Sequence, residues 1–127
     1  MPTVAEKRRT FRTLHARGCF VIPNPWDVGS ARYLAHLGFK ALASTSAGYA
    51  FAQGLPDAGV GLAMMLDHLR ELCAATDVPV NADFEGGYAH EPDKVAENVR
   101  LCVGTGVAGL SIAARAAWMR ATAASRS

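Results

Sequence analysis

The chain lacks most of the features that would assign it to a function class at once. It has only three cysteines, Cys19, Cys73 and Cys102, an odd number at wide spacing. That rules against a disulfide framework or a cysteine-rich zinc site and fits reduced thiols in a cytoplasmic protein. No run approaches the roughly 18 apolar residues of a membrane span. The opening "MPTVAEKRRTFRTLHARG" has no apolar core of a secretory signal. No G-x-G-x-x-G or G-x-x-x-x-G-K-[ST] loop follows the first strand-like run, so the usual nucleotide signatures are missing. Strong charge of either sign is missing too. The net charge of +2 is too weak to argue for nucleic acid or a membrane surface as partner. Acids are absent from the end of the chain: all eleven lie before residue 98, while Arg115, Arg120 and Arg126 fall within 113–127.

What is present is enough for one small α/β domain. The chain has 127 residues, 50% of them hydrophobic, so it can build a core. Helix and strand signals alternate along it. Residues 4–17 read as a charged opening helix, and "CFVIPN" (19–24) as a strand ended by proline. Residues 26–38 carry apolar residues at helical spacing, with Asp27 as N-cap and Gly38 as stop. "KALASTS" (40–46) reads as a second strand and 47–61 as a Gly-rich loop. Residues 62–76 are the clearest amphipathic helix, with Met65, Leu69, Leu72 and Cys73 on one face. A third strand (78–84), a helix opened by Pro92 (93–106) and a fourth strand (107–112) complete the pattern.

This alternation predicts a parallel sheet flanked by helices, either a doubly wound sheet or a (β/α)8 barrel. Without a nucleotide loop the barrel is the better reading. Four strands make only half of one, since a full barrel takes roughly 250 residues. The predicted fold is therefore the N-terminal portion, about four β/α units, of a TIM-type barrel.

Both architectures place function at the C-terminal ends of the strands, and three groups of residues fall there. Asp83 and Glu85, in "VNADFEGGYA" (80–89), are two apart, which on a strand puts them on one face. Two carboxylates buried together are costly unless a hard cation such as Mg²⁺ joins them. Equally, each could cap or pair at a strand end. Ser44, Thr45 and Ser46 end the second strand, where hydroxyls and free N–H groups can hold a carboxylate or simply form a turn. Asp57, in "GLPD", lies in the loop after that strand.

The ordered set S-T-S, G-L-P-D and V-N-A-D-x-E-x-G-Y, continued by "GVAGLSI", resembles the isocitrate lyase/phosphoenolpyruvate mutase superfamily over residues 10–112. The resemblance implies a (β/α)8 barrel using Mg²⁺, with Mn²⁺ as the alternative ion. It implies bond breaking or making beside the carboxylate of a 2-oxo acid or related di- or tricarboxylate, by way of an enolate. By position it assigns Asp83 and Glu85 to the metal. It assigns Asp57 to catalysis beside metal and substrate, and Ser44, Thr45 and Ser46 to the substrate carboxylate. It also implies homo-oligomers, often tetramers. The chain departs from the pattern in two places. Leu42 and Ala43 stand where several members carry an aromatic, and no cysteine matches the family's catalytic one. The three thiols read as structural.

After Ile112 the fit stops. "AARAAWMRATAASRS" (113–127) has seven alanines, three arginines and no acid, where the family continues into Glu-Asp. The tail reads as foreign sequence from a frameshift or truncation, or else as a frayed helix. Three functions remain open on this reading: a Mg²⁺-dependent lyase or mutase portion, a non-catalytic piece of such an enzyme, and a small flavodoxin-like module.

Overall fold

The computed structural model describes residues 1–113. The tail assigned to 113–127 therefore lies, apart from Ala113, outside the described residues.

Helix α1 (Val4–Leu14) starts at a capping box. The Thr3 hydroxyl accepts from Glu6 N at 3.2 Å, and Thr3 N donates back to the Glu6 carboxylate at 2.6 Å. Helix α2 (Val28–His36) is capped as the sequence predicts, by Asp27, whose carboxylate accepts from Ser30 N at 2.7 Å. It ends at Gly38, in the left-handed region at φ 99°. Strand β1 (Leu42–Ala43), helix α3 (Ser46–Ala52), helix α4 (Leu62–Ala75), strand β2 (Val80–Asp83), helix α5 (Pro92–Val103) and strand β3 (Gly109–Ser111) follow. The strands form one parallel sheet in the order β1-β2-β3, with Leu42 opposite Val80 and Asp83 opposite Ser111. Consecutive order without a reversal is what a barrel builds and a flavodoxin-like sheet does not.

The predicted strand at 19–24 is extended but forms no ladder of its own. Pro23 O accepts from Ala43 N at 2.9 Å, which lays the segment alongside β1. A parallel ladder would next draw an N–H from residue 25 to Ala43 O. Residue 25 is proline and has none. The Asn24 side chain supplies the donor instead, at 3.0 Å. The Gly-rich stretch 47–61 is also not all loop, because α3 occupies its first part. Thr45 caps α3, its hydroxyl accepting from Gly48 N at 3.1 Å. Gly48 itself is required, since a Cβ there would lie 2.7 Å from Thr45 Cγ2 and 3.3 Å from Trp26 Cβ.

The core lies between the helices and one face of the sheet. Leu42, Val80, Ala82 and Phe84 meet the predicted face of α4, with Met65, Leu69, Leu72 and Cys73 all buried. Each large side chain so buried contributes about 1.5–3 kcal/mol. Helix α1 closes the N-terminal end of the sheet. Lys7 is buried and donates to Cys73 O at 2.7 Å and Thr76 O at 2.5 Å, tying α1 to the end of α4. Arg8 reaches Val103 O at 2.9 Å, at the end of α5, and Val107 O at 3.1 Å, in the connection to β3. Among the described residues no helix is long and apolar enough to cross a membrane.

Candidate active site

Strand β2 alternates as a half-buried strand should. Val80 and Ala82 enter the core, while Asn81 and Asp83 stand half-buried on the other face. Asp83 is the last residue of the strand, and three neighbours fix its carboxylate. Ser46 donates to Oδ2 twice, from its hydroxyl at 2.7 Å and from its backbone N–H at 3.0 Å. Glu85 N donates to Oδ1 at 3.3 Å. From the neighbouring strand end, the buried Ser44 hydroxyl accepts from Asp83 N at 2.9 Å. Ser44 and Ser46 therefore hold the backbone and carboxylate of Asp83, across 39 and 37 residues of sequence. Bonds of this kind to an ionised carboxylate are among the stronger ones a protein makes.

Glu85 does not follow from strand alternation. β2 ends two residues earlier, and Glu85 takes φ 48°, in the left-handed region. The same-face expectation for Asp83 and Glu85 thus fails in its stated form. It is the turn, not the strand, that sets Glu85 beside Asp83, through the Glu85 N to Asp83 Oδ1 bond. The turn continues with Gly87 at φ 82° and Tyr88 at φ 59°. Ala113 N donates to Glu85 O at 2.7 Å, so the chain leaving β3 runs along the same turn.

Tyr88 packs its ring edge-on to Phe84 at 5.0 Å between centroids. Burial, and then the neighbouring charges of Glu85 and Asp83, push its hydroxyl pKa well above the ordinary tyrosine range. That hydroxyl is enclosed, and it approaches Glu85 without a hydrogen bond of good geometry. Burial likewise pushes the Cys73 and Cys102 thiols up to about 11, which makes them inert filler.

The structure therefore gathers Ser44, Ser46, Asp83 and Glu85 at the C-terminal end of the sheet. Thr45 sits between the two serines with its hydroxyl committed to capping α3. Asp57 stands on the exposed turn between α3 and α4, and the hydrogen bonds to the Asp83 carboxylate come from other residues. Among the described residues no three His, Cys, Asp or Glu side chains converge as a metal cage. Sequence reasoning missed α3 as the element that delivers Ser46. A Thr-Ser pair before an apolar run was the available signal.

Comparison with known proteins gives this arrangement its relatives. The family model described as phosphoenolpyruvate phosphomutase matches residues 11–124. The solved structure of a candidate lyase/mutase from Burkholderia cenocepacia J2315 is 52% identical, with a TM-score of 0.84 over 86% of this chain and 40% of its own. An oxaloacetate acetylhydrolase, solved with its product oxalate, is 33% identical, with a TM-score of 0.75 over 82% of this chain and 38% of its own. An uncharacterised protein of Mycobacterium tuberculosis is 40% identical over 99 residues, 71% of this chain and 35% of its own. The chain thus spans well under half the length of each.

Proposed function

The chain belongs to the phosphoenolpyruvate phosphomutase family, and on that premise we propose that it contributes the N-terminal portion of a Mg²⁺-dependent lyase or mutase. The reaction class is cleavage or formation of a C–C or P–C bond beside the carboxylate of a 2-oxo acid, through an enolate. The observation that carries this reading is the Asp83 carboxylate, held at a strand's C-terminal end by Ser46 with Glu85 beside it.

The donor set fits a hard ion. Asp83 and Glu85 offer only oxygen, and Mg²⁺ is commonly held by one or two carboxylates with water in the remaining positions. Asp83 accepts three hydrogen bonds, fewer than the roughly four lone-pair sites of a carboxylate. When bound, the ion supplies Lewis-acid stabilisation of the oxygen on which enolate charge develops.

The chain's own residues do the positioning. Ser46 fixes the rotamer of Asp83, and Ser44 fixes the backbone beneath it. The segment Ser44, Thr45 and Ser46 is assigned to the carboxylate side of the substrate. Asp57, on the turn after α3, is assigned to catalysis beside metal and substrate. Tyr88 packs edge-on against Phe84 and anchors the turn to the core. A small di- or tricarboxylate partner, a homo-oligomeric full-length enzyme and a cytoplasmic setting belong to the same proposal.

Isothermal titration of the chain with Mn²⁺, and then with oxalate as a planar enolate mimic, tests it. The expected result is Mn²⁺ binding, oxalate binding only in the presence of Mn²⁺, and loss of both in Asp83→Ala. Oxalate binding that ignores both metal and Asp83 would refute the reading.

A further inference from the structure

Asn98 is buried, 4% exposed, in the body of α5, where asparagine is a poor helix former. Its Nδ2 donates to Gly87 O at 2.9 Å and lies 3.5 Å from Tyr88 O. Both carbonyls belong to the turn that carries Glu85. That turn is costly. Glu85 and Tyr88 are non-glycine residues at φ 48° and 59°, each worth about 1 kcal/mol or more of backbone strain. Such conformations persist only where the surroundings hold them.

Three supports do so. Within the turn, Gly87 N donates to Phe84 O at 2.9 Å. From beyond β3, Ala113 N donates to Glu85 O. From α5, Asn98 donates, and Val95 packs directly beneath, so close that a Cβ on Gly87 would lie 2.8 Å from Val95 Cγ1. Val95 and Asn98 are three apart and share a helix face. One forms the floor of the turn, and the other is the donor that sets its carbonyls.

We infer that Asn98 is a positioning residue for the ion site: by clamping the carbonyls of Gly87 and Tyr88 it holds residues 85–88 in the left-handed path that sets Glu85 beside Asp83. This rests on the reading of Asp83 and Glu85 as ion ligands. The chemistry needs this residue type. Aspartate at the same place would present oxygen to two carbonyl oxygens, and an apolar side chain would leave both without a donor.

The test uses the full chain with Asn98→Asp, Asn98→Leu and Asn98→Ser, the last keeping a donor on a shorter arm. Thr105→Ala is the control, since it removes a buried hydrogen bond to Cys102 O at the end of the same helix without touching the turn. Two quantities are read at a temperature where every variant is folded by circular dichroism. One is Mn²⁺ affinity, and the other is amide exchange at Glu85 to Tyr88.

Asn98→Asp and Asn98→Leu are expected to weaken Mn²⁺ binding about tenfold or more, as loss of an outer positioning contact does at other metal sites. They should also speed exchange across the turn. Asn98→Ser should recover part of both losses, and Thr105→Ala should change neither even if it lowers Tm. Should Asn98→Asp fail to fold, the Leu and Ser variants carry the comparison. Affinity within about twofold of the unmodified chain in the Asn98 variants, or an equal loss in Thr105→Ala, overturns the inference alone. If the unmodified chain binds no Mn²⁺, the metal reading itself falls, and this inference with it.

Discussion

The two ends of the sheet handle charge in opposite ways. At the N-terminal end, Lys7 and Arg8 of α1 give their donors to Cys73 O, Thr76 O, Val103 O and Val107 O. The carbonyls of Cys73, Thr76 and Val103 lie at the ends of α4 and α5, where helices leave acceptors without internal partners and the dipole favours a cation. Side chain and backbone complete each other there. At the C-terminal end, Asp83 is oriented by Ser46 but keeps accepting capacity, and Glu85, a left-handed residue, donates its backbone N–H to the same carboxylate. Burial of charge is common to both ends. What separates a brace from a site is what each charge engages: backbone carbonyls at helix ends for Lys7, and for Asp83 a serine that aims the carboxylate beside a second acid.

The largest expected effect lies at the brace. Lys7→Met leaves the buried carbonyls of Cys73 and Thr76 without a donor and should destabilise the chain by about 2–4 kcal/mol. Mn²⁺ affinity of the folded protein should not change. Chemical denaturation, paired with titration below the transition, reads both. A change in affinity would erase the distinction between the ends.

The next effect lies between the two ends, at His68. It is buried on α4 and stacks on Tyr49 of α3 at 3.7 Å between ring centroids. Burial lowers its pKa to about 4 from the ordinary 6.5, against the opposing pull of Asp27. The folded state thus resists protonation that the unfolded chain accepts. Stability is full above about pH 6.5 and falls as pH drops toward 4, by up to about 3 kcal/mol. Denaturation midpoints from pH 7 to 4 should show the slope in the unmodified chain and a shallower one in His68→Phe.

The smallest stability change belongs to the site. Ser46→Ala should cost about 1–2 kcal/mol, the net worth of one charge-assisted hydrogen bond, since the Ser46 N–H still reaches Asp83. Its mark should fall on Mn²⁺ affinity instead, the reverse of Lys7→Met.

Much of this was legible in the sequence, but unevenly. Helical periodicity and caps gave α4, Asp27 and Pro92 correctly, because those signals are local. The segment 19–24 was over-read as a strand. Pro23 and Pro25 remove alternate donors, which the chain itself declared. Helix α3 was hidden by Gly48, which serves close packing against Thr45 and Trp26 rather than a loop. Asp83 stood out by its place at a strand end and by family resemblance. Its pairing with Ser46 did not, because that contact spans 37 residues. Asn98 was illegible: in "AENVRL" it reads as one more polar helix residue, and only burial against the turn gives it meaning.

The central claim is that the C-terminal end of the sheet, and not the N-terminal end, is built to receive a cation. Mn²⁺-induced broadening of backbone amide resonances in the full chain tests it most directly. The account predicts that broadening centres on Ser46, Asp83, Glu85 and Tyr88 and leaves Lys7 and Arg8 sharp. Broadening confined to exposed acids such as Asp67 and Glu97, with Asp83 and Glu85 untouched, would contradict it.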